Sequence, residues 1–212
     1  MSASATARNL VSPVLRWGYR VRVSGAHQCP RRGALVVVAQ HEGFLDAALI
    51  ASALPRPVDV LVDPGALAGI TGRIPGRIVI APEDPGRGLR TAVDRLAAGG
   101  AIGAWSGSGR ETAAAYLASR VPAPILPVAV FGGGGRHATD PPPLRSRIEV
   151  VIGAPLEIPP RGDPVSRATV RGLAEAIRQR VADHVAAAMV RAGRTDGVAL
   201  GPGEPAPDNG RS

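Results

Sequence analysis

The sequence predicts one α/β domain: a mixed, mostly parallel sheet flanked by helices. Two patterns carry that expectation. Short apolar runs recur along the chain, several of them continuous, as strands buried on both faces of a sheet require. Between them lie stretches with apolar residues at helical spacing, and such alternation of strand and helix is the mark of an α/β sheet protein. With 212 residues, 45% of them hydrophobic and 20% charged, the chain can bury one sizeable core.

Residues 1–19 form an N-terminal segment in which Asn9–Tyr19 can make a short amphipathic element. Packing of its Leu10, Val14, Leu15 and Trp17 against the domain is the first reading, and contact with a membrane surface the second. The domain itself is expected over residues 20–192. Its strands are Arg20–Ser24, Ala34–Ala39, Val58–Val62, Arg77–Ala81, Ala101–Trp105, Ile125–Phe131 and Arg147–Ile152. Helices are expected over Leu45–Ala53, Gly88–Ala98 and Thr112–Ser119. In the middle one Leu89, Val93 and Leu96 share a face, and Gly99-Gly100 stops it. The longest helix should run from about Ser166 to Arg191, where Val170, Leu173, Ile177, Val181, Val185 and Met189 form a core-facing stripe. Gly132–Gly135 and Asp140–Pro143 make the loop between the last two strands. Residues 193–212 lose all periodicity and fill with Gly, Pro and Asp, so a disordered tail is expected.

Composition narrows the function classes. The net charge of +8 arises from 25 arginines with no lysine. Codon bias in a GC-rich genome accounts for it on one reading; an anionic partner, such as a membrane surface or a phosphorylated substrate, does so on another. Nucleic acid is disfavoured, because only six aromatic residues are available to stack on bases and the arginines are dispersed. A lone Cys29 excludes an internal disulfide and any multi-cysteine zinc or iron–sulfur site. No apolar run approaches the ~20 residues that span a bilayer, and Pro13 and Arg16 interrupt any signal-peptide core. The expectation is a cytoplasmic protein, soluble or peripheral.

The segment that carries chemistry is ALVVVAQHEGFLD, residues 34–46. A buried strand ends at Gln40, and a polar turn leads into an apolar helix. His41 and Asp46 bracket that turn. If it folds back, the Asp46 carboxylate can accept the imidazole Nδ1–H and leave Nε2 free as a base, the arrangement of acyl-transfer sites. By itself the spacing is a weak signal that favours a helix-capping Asp beside a partly exposed His.

Four blocks in order, from Arg20 to about Pro159, resemble the 1-acylglycerol-3-phosphate acyltransferase (lysophospholipid acyltransferase) family. RVRVSGAHQCPRRGALVVVAQHEGFLDAALI is similar to its strand, turn, strand and Asn-His-x4-Asp motif. GRIVIAPEDPGRGLRTAVDRLAAGGAIGAW resembles the strand–helix–strand leading to its Phe-Pro-Glu-Gly-Thr-Arg motif. VPAPILPVAVFG looks like its Val-Pro-x-x-Pro-Val strand, and IEVVIGAPLEI like its closing strand. The resemblance implies a glycerolipid acyltransferase-like fold and makes His41 and Asp46 the catalytic dyad, with Gln40 in place of the usual Asn. The second and third motifs are degenerate. Pro82 stands where the family has an arginine, and Trp105-Ser-Gly-Ser-Gly-Arg110 keeps an aromatic and an arginine but lacks the glutamate, for which Glu111 is an imperfect substitute.

The implied reaction moves a fatty acyl group from acyl-CoA or acyl-carrier protein to a hydroxyl of a lysophospholipid acceptor, with no further cofactor. His41 takes the acceptor's proton, and Asp46 fixes the imidazole tautomer. Backbone donors around Ser106, Gly107, Ser108 and Gly109 stabilise the oxyanion. Arg110 is the motif-supported partner for phosphate, with Arg73, Arg77 and Arg87 as further candidates. Partners would be the lysophospholipid, the acyl donor and an anionic membrane surface on the inner face of the cell membrane. The competing reading is a non-catalytic relative that binds lipid or a partner protein.

Other segments carry less. The Ser106–Gly109 loop can cradle an anion or be a plain strand–helix turn. The segment 69–76 lacks a dinucleotide fingerprint, Gly132–Gly135 runs into prolines rather than a helix, and no G-x-S-x-G elbow surrounds Ser106 or Ser108. His27, His137 and His184 are expected at the surface, and no metal-ligand spacing is visible.

Overall fold

Strand formation follows the β-branched runs, and helix formation follows the capped, Ala- and Leu-rich stretches between them. The computed structural model describes residues 17–40, 43, 45–62, 76–106, 110–135, 140–158 and 166–192. The order is β1 (Arg20–Ser24), a 3-10 turn (Ala26–Gln28), β2 (Leu35–Gln40), α1 (Asp46–Ala53), β3 (Asp59–Val62), β4 (Arg77–Val79), α2 (Pro85–Ala97), β5 (Ala101–Ser106), α3 (Arg110–Arg120), β6 (Ile125–Phe131), β7 (Arg147–Ile152) and α4 (Arg167–Arg191). The proposed tail and most of the N-terminal segment lie outside the described residues.

Among the described residues the strands form a seven-stranded sheet in the order β1-β7-β6-β2-β5-β3-β4. Five strands, β6, β2, β5, β3 and β4, are mutually parallel. β7 enters antiparallel to β6 and pairs in parallel with the edge strand β1. This is the mixed, mostly parallel sheet that the sequence predicts.

Alternate residues of β2 serve opposite faces, as a period of two requires. Leu35, Val37 and Ala39 pack under α1 with Leu49, Ile50 and Leu54. Val36 and Val38 face the other layer, where α2, α3 and α4 contribute Leu96, Leu117 and Ile177. The α4 stripe is buried as predicted at Leu173, Ile177, Val181 and Val185, with Val170 and Met189 packed at its margins. Full burial of each such side chain stabilises the fold by roughly 1.5–3 kcal/mol.

Side-chain caps set the starts of α2 and α4. The Ser166 hydroxyl accepts the Thr169 N–H at 3.0 Å, which starts α4. α2 begins three residues earlier than its apolar spacing predicts. Asp84 accepts the Arg87 N–H at 3.0 Å, and Pro85 occupies the first helical position. β4 is correspondingly short, although Ile80 still donates to the Val62 carbonyl at 2.8 Å. At the amino edge of the parallel strands, Arg56 donates to the carbonyls of Gly33 and Gly99, both at 2.7 Å, and of Pro30 at 3.3 Å. It ties the turns that precede β2 and β5.

Candidate functional site

The carboxyl edge of β2 lies between two neighbours. Gln40 is in register with Ser106 of β5 on one side and with Ala129 of β6 on the other. After β2 the chain turns to α1 on one face of the sheet; after β5 it turns to α3 on the opposite face. Adjacent parallel strands whose connections diverge in this way open a crevice at their carboxyl ends, where α/β sheets bind ligands.

Asp46 opens α1 at this edge and is 1% exposed. Its placement is locally determined. Oδ2 accepts the Gly43 N–H at 2.8 Å, while the Asp46 N–H donates back to the Gly43 carbonyl at 3.2 Å. A carboxylate in the first turn also faces the positive end of the helix dipole. The turn is further held from β6, because the Leu45 N–H donates to the Gly133 carbonyl at 3.5 Å. Asp46 therefore closes the turn through Gly43; it does not cap α1, whose N-cap position is Leu45 and carries no side-chain cap hydrogen bond. His41 lies outside the described residues.

The other site residues divide similarly. Ser106 ends β5 and Arg110 begins α3, whereas Gly107, Ser108, Gly109 and Arg73 lie outside the described residues. Glu111 is 7% exposed in the first turn of α3, a second buried carboxyl group at a helix start on the carboxyl edge. Pro82 and Arg87 are exposed on the β4–α2 side, and Arg77 is half-buried. Among the described residues no group of three or more His, Cys, Asp or Glu residues could hold a metal ion.

Two sequence expectations are corrected. Trp17 is 92% exposed and does not pack against the domain. It sits beside Leu144, 78% exposed, because the Arg145 N–H donates to the Gly18 carbonyl at 2.7 Å and brings the two segments together. His184 is half-buried rather than at the surface: Nε2 lies 3.1 Å from the Val151 carbonyl, and burial pushes the imidazole pKa down. His27 is exposed as expected, and His137 lies outside the described residues. Cys29 is buried, and desolvation pushes its thiol pKa up against the opposing charge of Arg56.

The feature that sequence reasoning missed is the glycine run after β6. Gly133 and Gly134 lie directly against Gly43, and Gly133 against Asp46. A four-glycine run leaving a buried strand was its only signal. A separate groove of about 700 Å³, lined by Leu156, Ile158, Thr169, Leu173 and Arg180, lies toward the opposite end of the sheet, where Leu156 bridges to Ile125 at the start of β6.

A parallel-sheet α/β domain with a buried acidic residue at a strand–helix turn on the carboxyl edge defines the class. The fold is similar to that of the 1-acyl-sn-glycerophosphate (LPA) acyltransferase PlsC from Thermotoga maritima, seen in its crystal structure. The TM-score is 0.60 at 18% identity, over 85% of this chain and 79% of that chain. At that identity the likeness is one of fold. No protein-family model matches the sequence, and no curated protein sequence matches it.

Proposed function

We propose that the protein is an O-acyltransferase that moves a fatty acyl group from acyl-CoA or acyl-carrier protein to the hydroxyl of a lysophospholipid-like acceptor. The observation that carries this reading is Asp46: a buried carboxylate, five residues beyond His41, held at the carboxyl edge of the sheet in a PlsC-like fold. In the proposed reaction the His41 imidazole takes the acceptor's hydroxyl proton as oxygen attacks the thioester carbonyl. Asp46 holds the imidazole in the right tautomer and stabilises the imidazolium. Backbone N–H groups of the Ser106–Gly109 loop receive the oxyanion. Collapse of that intermediate breaks the C–S bond, and the imidazolium returns its proton to the departing thiolate. Arg110 binds acceptor or donor phosphate.

The same end of the sheet supports peripheral binding to an anionic membrane. Trp17 and Leu144 are both exposed, on segments joined by the Arg145–Gly18 hydrogen bond, and Arg20, Arg145 and Arg147 are exposed nearby. The patch borders the site through Gly132, where a Cβ would lie 2.5 Å from the Arg147 carbonyl oxygen. No helix among the described residues is long and apolar enough to cross a membrane.

The test is thiol release from acyl-CoA and acyl-carrier protein with a panel of lysolipids. Pro82 replaces a phosphate-holding arginine in the family pattern. A charge-assisted contact is worth roughly 1.5–3 kcal/mol, so lysophosphatidate should not exceed a neutral acceptor of equal chain length in kcat/KM. A tenfold advantage for lysophosphatidate would show that other residues hold the phosphate. Lipid binding without transfer to any acceptor would favour the non-catalytic reading, which the degenerate second and third motifs support.

A further inference from the structure

We propose that Gly133, on the loop after β6, is a positioning residue whose missing side chain seats the Asp46 carboxylate and thereby orients His41. The inference rests on the acyl-transfer reading of that pair and adds a residue from a distant element. A Cβ built on Gly133 would stand 1.7 Å from Asp46 Oδ1 and 3.0 Å from its Cγ. No side chain fits there while the carboxylate keeps its place.

Several described neighbours close on the seat. Asp46 Oδ2 is held by the Gly43 N–H at 2.8 Å. Gly43 lies so close to the loop that its own Cβ would meet the Gly133 carbonyl carbon at 2.2 Å and the Gly134 nitrogen at 2.4 Å. The Gly133 carbonyl accepts from Leu45 at 3.5 Å. Behind the seat, Gly132 has φ +80° and packs on β7, where a Cβ would lie 2.5 Å from the Arg147 carbonyl oxygen. The backbone of Gly133 itself lies outside the left-handed region, so alanine is not strained there by its own conformation. Val130 Cγ1 comes next at 3.4 Å, an ordinary packing distance. The penalty of Gly133→Ala therefore falls on Asp46.

The experiment compares wild type, Gly133→Ala, Asp46→Ala and the double variant, with Gly172→Ala as the control, since a Cβ at Gly172 meets nothing within 4 Å. The His41 imidazole is titrated by NMR, its resonance assigned by its loss in His41→Ala, and kcat is measured alongside. On the proposed pairing, displacement of the Asp46 carboxylate in Gly133→Ala should lower the imidazole pKa by about one unit or more. The shift should match that of Asp46→Ala and grow no further in the double variant. Misplacement of the pair should lower kcat on the order of 100-fold, again without a further loss when both changes are combined. A Gly133→Ala protein with the wild-type titration, or one whose losses add fully to those of Asp46→Ala, overturns the proposal. A shifted titration in a protein that transfers no acyl group sustains the seat and removes the acyl-transfer reading instead.

Discussion

Replacing Asp46 by Ala and by Asn separates its two roles. In the wild type Oδ2 accepts a buried N–H from Gly43 at 2.8 Å. Alanine leaves that donor without its acceptor in a turn that is also pinned from Gly133. A hydrogen bond to a charged group contributes about 1.5–3 kcal/mol. A domain of this size loses about 2–4 °C in Tm per kcal/mol, so Asp46→Ala should melt roughly 3–12 °C lower. Asparagine keeps an acceptor for Gly43, and a neutral bond contributes about 0.5–1.5 kcal/mol. Its Tm should fall by only a few degrees. Acyl transfer should behave differently: neither residue stabilises an imidazolium, and both variants should lose on the order of 100- to 10,000-fold in kcat. Calorimetry and thiol release on the same preparations measure both quantities. An Asp46→Ala protein as stable as wild type would refute the structural half, and an Asp46→Asn protein of normal kcat the catalytic half.

Arg56→Ala should destabilise the fold by about 2 kcal/mol, because three carbonyls lose a charged donor. Its kcat in the folded state should stay unchanged, since those turns lie at the edge of the sheet away from Asp46. Burial lowers the His184 pKa below 6.5, with the Val151 carbonyl opposing and the charge of Arg191 reinforcing. The unfolded chain then takes up a proton that the folded chain resists, so stability is complete above pH 6.5 and falls on acidification below it. His184→Gln should flatten that interval in denaturant titrations; an unchanged slope would assign it to other groups. Binding to anionic vesicles should weaken with Trp17→Ala or Leu144→Ala and fall sharply with salt, each arginine near the surface contributing about 1 kcal/mol. Retention that ignores both salt and these substitutions would contradict the proposed patch.

Local order was largely written in the sequence. β1, β6 and β7 fall where their apolar runs place them, and the α4 stripe is buried from Leu173 to Val185 with its ends half-buried. The early start of α2 was also legible in Asp84-Pro85, an N-cap followed by a first-turn proline, but apolar spacing alone hides it because the first turn is exposed. Strand order is another matter. The insertion of β7 between β1 and β6 is decided by pairings between residues far apart in sequence, which no local pattern encodes. The candidate site shows the same division. Asp46 could be placed at a strand–helix turn from its neighbours, whereas the glycine loop that presses on it comes from β6 and has meaning only once the sheet is assembled. Trp17 gave no sign of its exposure, since an aromatic at helical spacing serves a core or a membrane equally well.

The central claim is that His41 acts as the base of an acyl transfer at the carboxyl edge of β2. Its most direct test is thiol release from acyl-CoA in the presence of a lysophospholipid, comparing wild type with His41→Ala at matched thermal stability. Wild type should turn over, and His41→Ala should lose on the order of 100-fold or more with the fold intact. Equal turnover by the two proteins would contradict it.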